Sequence, residues 1–290
     1  MSRNTLIISL LLLLIACNPD SKRSDKLLIS VSILPQQYFI ERIAGEMVEV
    51  NVMIPPGASP ATYEPTFSQL SKLDQSLVYL RIGYIGFELS WMNKISAVNP
   101  DLKIVDLSTG INPIRLEEEE HHHLHEHAHA GIDPHIWMSV LNAKIIARNT
   151  FNELIQHFPE EEEKLTGRFS NLLLELDTID DSIAKMLSDQ KERSFMIYHP
   201  ALSYFARDYN LEQFSLEIGG KTPSPAHMKW MIDLGREKNI STIFLQQQFD
   251  QKNAEVLANE IGAKIVQINP LDPDWQGQMY YIANQLSSSL

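Results

Sequence analysis

The stretch PEEEEKLTGRFSNLLLELDTIDDSIAKMLSDQ, residues 159–190, decides how the rest of the chain is arranged. Its apolar residues recur at spacings of three and four, which is the pattern of one face of a helix. These residues are Leu165, Phe169, Leu172, Leu173, Leu176, Ile179, Ile183 and Leu187. At 1.5 Å per residue such a helix would extend over roughly 45 Å, longer than an ordinary domain helix. We therefore predict one long helix that joins two lobes.

Short apolar runs alternate with helical patterns on both sides of this helix, which predicts parallel α/β lobes. Before the helix, the pattern predicts strands at 27–33, 48–54, 76–82 and 104–107, with helices at 36–44, 68–75 and 87–95. After it, the pattern predicts strands at 194–198, 213–216, 242–245 and 264–268, with helices near 201–208, 224–238 and 252–261. The fold class is therefore α/β, with two parallel-sheet lobes and a binding cleft between them.

The N-terminus has the features of an export signal. Arg3 precedes an apolar run over residues 6–16, which is too short to span a bilayer. The end of this run, Leu-Ile-Ala-Cys17, resembles the bacterial lipobox, in which the cysteine is lipidated. We interpret residues 1–16 as a signal peptide and 17–26 as a lipidated tether. We therefore expect an exported protein, lipid-anchored to a bacterial membrane and facing the periplasm or the cell exterior.

The remaining chain divides into an N-terminal lobe over 27–158, the linking helix over 159–190 and a C-terminal lobe over 191–290. Cys17 is the only cysteine, so no disulfide forms within the fold. The formal net charge is −13, which argues against nucleic acid as a partner and favours attraction of cations. We expect a monomer.

A histidine-rich tract, EEEEHHHLHEHAH, occupies residues 117–129 inside the N-terminal lobe. Imidazole and carboxylate groups both bind divalent transition metals such as Zn²⁺. A segment of this composition does not bury a core, so we interpret it as an accessory metal-binding loop. Its histidines are His121, His122, His123, His125, His127 and His129.

Four histidines lie outside the tract, and two of them are candidate metal ligands. His135 follows a proline and His199 precedes one, one in each lobe, where the two lobes are expected to converge. We predict His157 in the last turn of a helix that ends before Pro159 and His227 in the first turn of another helix, and we expect both to be structural.

Several motifs resemble the metal-binding lipoproteins of zinc and manganese ABC importers. They are PGASPATYEP at 56–65, DPHIW at 133–137, YHPA at 198–201, FARDY at 205–209, Ile243-Phe244 and Gln248-Phe249. The resemblance covers residues 27–290 and implies two α/β lobes bridged by a long helix. It implies His135, His199 and Asp274 as ligands of Zn²⁺, with Asp272 as the competing carboxylate and Mn²⁺ as the alternative metal. It also implies delivery of the metal cargo to a membrane permease.

One position departs from the family pattern. The family's first ligand is a histidine, and here that position is Ala61, in Pro-Ala-Thr-Tyr-Glu64. A methyl group cannot bind a metal. Three alternatives remain for the missing ligand: a histidine of the tract, the nearby Glu64, or no residue at all. The last would leave a weaker site.

These features favour a zinc-binding lipoprotein that closes or shifts its lobes on the metal and delivers it to an ABC permease. A manganese importer protein and a metal-dependent surface adhesin are alternatives. A metallohydrolase is less favoured, because the sequence contains no His-Glu-x-x-His element. We therefore expect no enzymatic activity.

Overall fold

The computed structural model of the chain describes residues 26–116, 131–190 and 193–288. The predicted signal peptide, the lipidation site Cys17 and the histidine-rich tract lie outside these residues. Within the described residues, no helix is long and apolar enough to cross a membrane.

The N-terminal lobe contains a four-stranded parallel sheet in the order β2-β1-β3-β4. Its strands are β1 (Leu27–Val31), β2 (Val48–Val52), β3 (Val78–Arg81) and β4 (Lys103–Asp106). Helices α1 (Leu34–Ala44), α2 (Phe67–Asp74) and α3 (Gly86–Val98) connect them. The predicted strand–helix alternation is confirmed, with small shifts at the ends of the elements.

Two helices follow the first sheet, α4 (Val140–His157) and α5 (Glu162–Leu187). Helix α5 is the predicted linking helix. It begins three residues after Pro159, because residues 159–161 form a 3₁₀ turn. It packs against α1 and α4. Its apolar stripe is buried as predicted, at Leu165, Leu172, Leu176, Ile179, Ile183 and Leu187.

The C-terminal lobe repeats the arrangement of the first, with a parallel sheet in the order β6-β5-β7-β8. Its strands are β5 (Ser194–Ile197), β6 (Glu212–Ser215), β7 (Thr242–Gln246) and β8 (Lys264–Ile268). Its helices are α6 (Ser203–Asp208), α7 (Pro225–Glu237), α8 (Gln251–Ile261) and α9 (Trp275–Ser287). The sequence predicted the end of α4 at His157 but not where it begins, and it did not predict α9.

Of the two apolar clusters among the described residues, the larger runs from one lobe into the other, and the second lies in the C-terminal lobe. The rings of Phe39 and Trp275, one from each lobe, lie 5.3 Å apart between centroids. The indole of Trp137 donates to the carbonyl of Pro270 at 2.7 Å, and the indole of Trp275 donates to the carbonyl of Trp137 at 2.7 Å. Because these hydrogen bonds are buried, the lobes are held together next to the cleft.

A buried carboxyl group fixes the turn that carries the chain from β3 into α3. Glu88 accepts hydrogen bonds from the backbone N–H groups of Ile82 and Gly83, both at 2.7 Å, and also from the hydroxyl of Ser32. Burial raises the pKa of Glu88 to about 7. The turn is held in place at the carboxyl edge of the sheet, where the cleft begins.

Candidate metal centre

His135 is held by an aspartate two residues before it. The Nδ1 atom and the backbone N–H of His135 each lie 2.9 Å from Oδ1 of Asp133. Burial alone would raise the pKa of Asp133, but the hydrogen bonds from His135 outweigh it and keep that pKa below its ordinary value. An ionised carboxylate can only accept, so Nδ1 of His135 is the donor of this hydrogen bond and Nε2 is the ring nitrogen left for another partner.

His199 lies just beyond the end of β5 and is held in an equivalent way from the other lobe. Its Nδ1 lies 3.1 and 3.2 Å from the two carboxylate oxygens of Glu217. The buried amide of Gln246, at the end of β7, accepts from the His199 N–H at 3.3 Å and donates to its carbonyl at 2.7 Å. Three neighbouring strand ends therefore orient the second imidazole.

The two imidazoles converge across the cleft. Their Nε2 atoms lie 3.3 Å apart, and the rings meet edge to face with their centroids 5.0 Å apart. Two nitrogens bound to one tetrahedral zinc at 2.0–2.1 Å would be about 3.3–3.4 Å apart. With both Nδ1 atoms held by carboxylates, the two Nε2 atoms are the ring nitrogens that face each other across the cleft. Their separation is the one expected of two ligands of a single tetrahedral metal ion, so the pair is a candidate for half of such a site.

The histidine pair opens into a cavity of about 360 Å³. The ring of Phe249 stacks on His199 at 5.2 Å, and Trp137 lies 5.3 Å from His135. Ile85 and Pro60 contribute further apolar wall. The cavity is therefore wider than a bare ion requires and is largely apolar next to the metal position.

Ala61 lines this cavity, so the position that departs from the family pattern faces the site. Its segment is anchored to the first turn of α3, where the N–H of Phe87 donates to the carbonyl of Pro60 at 2.7 Å. Glu64 is exposed and does not line the cavity. The carboxylate considered as a substitute ligand therefore lies outside the cavity in this structure.

Comparison with known proteins identifies the family. The sequence model described as "Zinc-uptake complex component A periplasmic" matches residues 29–288. The chain belongs to this family. The match covers both lobes and the linking helix, and both histidines of the pair fall within it.

The chain is similar to two curated members of the zinc-uptake group. Over 269 residues it is 26% identical to the zinc-binding lipoprotein AdcA of Streptococcus pneumoniae, covering 90% of this chain and 53% of AdcA. Over 275 residues it is 27% identical to the high-affinity zinc uptake system protein ZnuA of Bacillus subtilis, covering 90% of this chain and 85% of ZnuA. The chain thus spans about half the length of AdcA.

A solved structure shares both the fold and a substantial part of the sequence. A crystal structure of ZnuA superposes with a TM-score of 0.84 at 35% sequence identity, covering 91% of this chain and 99% of that chain. The two parallel-sheet lobes and the long linking helix of this chain therefore match the architecture of ZnuA.

The structure does not bring Asp274 to the histidine pair, which differs from the sequence-based expectation. Its carboxylate caps α9 by accepting from the N–H of Gly277 at 3.0 Å. Asp272 accepts from the N–H of Asp274 at 3.0 Å, and neither aspartate lines the cavity. An aspartate just before a helix satisfies N–H groups that lack a partner within the helix, and this local role accounts for the placement.

Among the residues that the structure describes, no group of three or more His, Cys, Asp or Glu side chains is arranged to hold a metal. The pair of His135 and His199 is thus the part of the expected ligand set that the structure brings together. The six tract histidines lie outside the described ranges.

The other two histidines have ordinary structural partners. Nε2 of His157 lies 2.7 Å from Oε1 of Glu153, and Nε2 of His227 lies 3.3 Å from the carbonyl of Ser215. The ring of His227 also stacks on Trp230. These contacts agree with the expectation that both are structural.

Sequence reasoning missed the two carboxylates that orient the imidazoles. Asp133 stands in the same short motif as His135, at a spacing that allows a local hydrogen bond. Glu217 follows β6, the neighbour of the strand that carries His199. The feature that could have pointed to Glu217 is a carboxylate at the carboxyl end of the neighbouring parallel strand.

Proposed function

We propose that the protein is the metal-binding component of a zinc importer and that it carries Zn²⁺ between His135 and His199. The observation that carries this proposal is the 3.3 Å separation of their Nε2 atoms, with both Nδ1 atoms held by carboxylates. This carboxylate–histidine arrangement is typical of zinc sites, where it fixes the tautomer and makes the imidazole a better ligand. The zinc-uptake names of its relatives point to the same cargo.

Zinc is favoured over manganese by the chemistry of the donor atoms. Imidazole nitrogen suits zinc, whereas manganese prefers sites rich in oxygen. The two carboxylates closest to the pair, Asp133 and Glu217, engage the Nδ1 atoms and not the meeting point of the Nε2 atoms. Manganese is the alternative cargo.

The same geometry does not favour a metallohydrolase. Hydrolysis at zinc needs a general base beside the metal-bound water. The nearby carboxylates of Asp133 and Glu217 are not available as this base, because each holds an imidazole on the side away from the metal position. We infer that the metal is cargo and not a catalyst.

The remaining parts of the proposal come from the sequence. Export by the 1–16 signal and lipidation at Cys17 would hold the protein, as a monomer, at the outer face of a membrane. An ABC permease in that membrane would receive the zinc. The negative net charge of −13 would draw cations to the protein surface.

Isothermal titration of zinc into the mature chain tests the proposal. The six tract histidines are first replaced by serine, so that only the cleft contributes. In this background one zinc should bind, and His199→Ala should weaken binding by more than about 100-fold, because a direct ligand should matter more than an orienting residue. His157→Ala serves as the matched control and should leave the affinity unchanged. Equal zinc affinity with and without His199 would contradict the proposal.

A further inference from the structure

The two imidazoles of the metal site come from different lobes, so the distance between them depends on contacts that cross from one lobe to the other. We propose that Tyr204, on helix α6 of the C-terminal lobe, is a positioning residue for this site. Its hydroxyl holds the backbone of Asp133 and thereby places the imidazole of His135 opposite that of His199. This inference rests on the proposed function, because it concerns the placement of the same two ligands.

The first step in the argument is the close connection between α6 and His199. The helix begins at Ser203, four residues after this histidine. Between them, the N–H of Ala201 donates to the carbonyl of His199 at 2.7 Å. The N–H of Leu202 donates to the side-chain oxygen of Gln213 at 2.8 Å. The second ligand and the start of α6 therefore form one short, hydrogen-bonded unit.

The second step is that the Tyr204 hydroxyl reaches into the N-terminal lobe. It donates to the carbonyl of Asp133 at 2.8 Å and accepts from the N–H of Ile114 at 3.1 Å. The tyrosine is fully buried. Burial raises the pKa of Tyr204 to about 12, so the hydroxyl keeps its proton at neutral pH. The contact with Asp133 is therefore a constant feature of the folded chain.

The third step concerns the short antiparallel ribbon to which Ile114 and Asp133 belong. Arg115 pairs with Ile132, and the N–H of Asp133 donates to the carbonyl of Ile114 at 2.9 Å. Two residues that face each other in this way normally exchange both of their N–H···O bonds. Here the Tyr204 hydroxyl stands in place of the second bond and binds both the N–H and the carbonyl. A side chain of the C-terminal lobe is thus built into the ribbon.

The fourth step leads from the ribbon to the metal ligand. The Asp133 carboxylate holds both Nδ1 and the backbone N–H of His135 at 2.9 Å. On the other side of His135, the hydroxyl of Ser139 donates to the carboxylate of Asp208, at the end of α6. The helix also packs against the turn at 136–138. One short helix therefore contacts the chain on both sides of the first ligand and is continuous with the second.

The substitution Tyr204→Phe removes the hydroxyl and keeps the ring. The N–H of Ile114 and the carbonyl of Asp133 then lose their partner, and buried backbone groups are strongly disfavoured without one. We expect the ribbon to close and form the direct bond instead. Because Asp133 would move with it, His135 would leave its position 3.3 Å from the Nε2 atom of His199.

The experiment measures zinc affinity by isothermal titration in the background whose tract histidines are serine. The matched control is Tyr209→Phe. Tyr209 directly follows α6 and is also buried, but its hydroxyl donates to Asp180 of α5 at 2.9 Å, away from the ligands. Tyr204→Phe should weaken zinc binding by about tenfold, and Tyr209→Phe should leave it unchanged. Denaturant unfolding checks that both variants are folded, and sucrose, which favours the compact state, is added to every titration if either is not.

A second measurement separates positioning from a merely structural role. In the serine background four histidines remain, and nitrogen-15 NMR of the zinc-free protein reports on each ring. Tyr204→Phe should shift the ring nitrogens of His135, because its Nδ1 bond to Asp133 changes. The rings of His157 and His227 serve as internal references and should not shift. A merely structural role would lower stability and leave the His135 signals in place.

The outcomes separate this inference from the proposed function. Zinc affinity in Tyr204→Phe equal to that of the parent, or weakened equally in Tyr209→Phe, would overturn the positioning role alone, as long as binding still depends on His199. Unchanged His135 ring signals in Tyr204→Phe would also overturn it. Zinc binding in the parent that does not depend on His199 would overturn the proposed function itself.

Discussion

His135 and His199 could be singled out from the sequence because each stands beside a proline in a loop, one in each lobe. The structure brings their Nε2 atoms to 3.3 Å from each other. The role of Asp274 could not be decided from the sequence, because an aspartate before a helix serves as a cap or as a ligand with the same local pattern, and in the structure it caps α9. Glu217 becomes a neighbour of His199 only when β5 pairs with β6.

Glu217 should tune the metal site without touching the metal. Glu217→Gln preserves the size of the side chain and an acceptor for Nδ1 of His199, but removes the negative charge. We expect zinc affinity to fall by about 10- to 100-fold, less than in His199→Ala. Competition with a chelating dye measures this change. Glu255→Gln, an exposed carboxylate on α8, is the matched control. Unchanged affinity in Glu217→Gln would show that the carboxylate has no orienting role.

At the scale of elements, the long helix α5 was predicted because its apolar stripe, from Leu165 to Leu187, runs without interruption over about six turns. Helix α9 was missed, although Trp275, Met279, Ile282 and Leu286 carry a helical spacing that periodicity could have found. The packing of α9 between the lobes could not be predicted, because it depends on the indole of Trp275 reaching the carbonyl of Trp137.

Trp275→Phe tests how strongly α9 links the lobes. The substitution keeps an aromatic ring but removes the N–H that donates to the buried carbonyl of Trp137 at 2.7 Å. Leaving that acceptor unpaired should lower the free energy of unfolding by about 1–3 kcal/mol. Denaturant unfolding measures the loss. The matched control Trp230→Phe lies on the surface with half of the residue exposed and should change little. Equal effects of the two substitutions would refute a structural role for the indole bridge.

At the scale of the whole molecule, the sequence predicted two lobes but not their shared core. Alternating strands and helices indicate the lobes, whereas contacts such as that of Phe39 with Trp275 arise only when the lobes meet. We hypothesised that the lobes close or shift on the metal, and the shared core favours a small shift over a large closure. The Nε2 atoms already stand at a separation that suits zinc, so binding needs no large hinge motion.

The central claim is that this preformed pair holds the zinc. A crystal structure of the zinc-loaded protein, with anomalous diffraction measured at the zinc edge, tests it most directly. The account predicts an anomalous peak about 2.0–2.1 Å from Nε2 of both His135 and His199, with the two lobes arranged as in the zinc-free protein. A zinc peak bound to only one of these histidines, or located away from both, would contradict it.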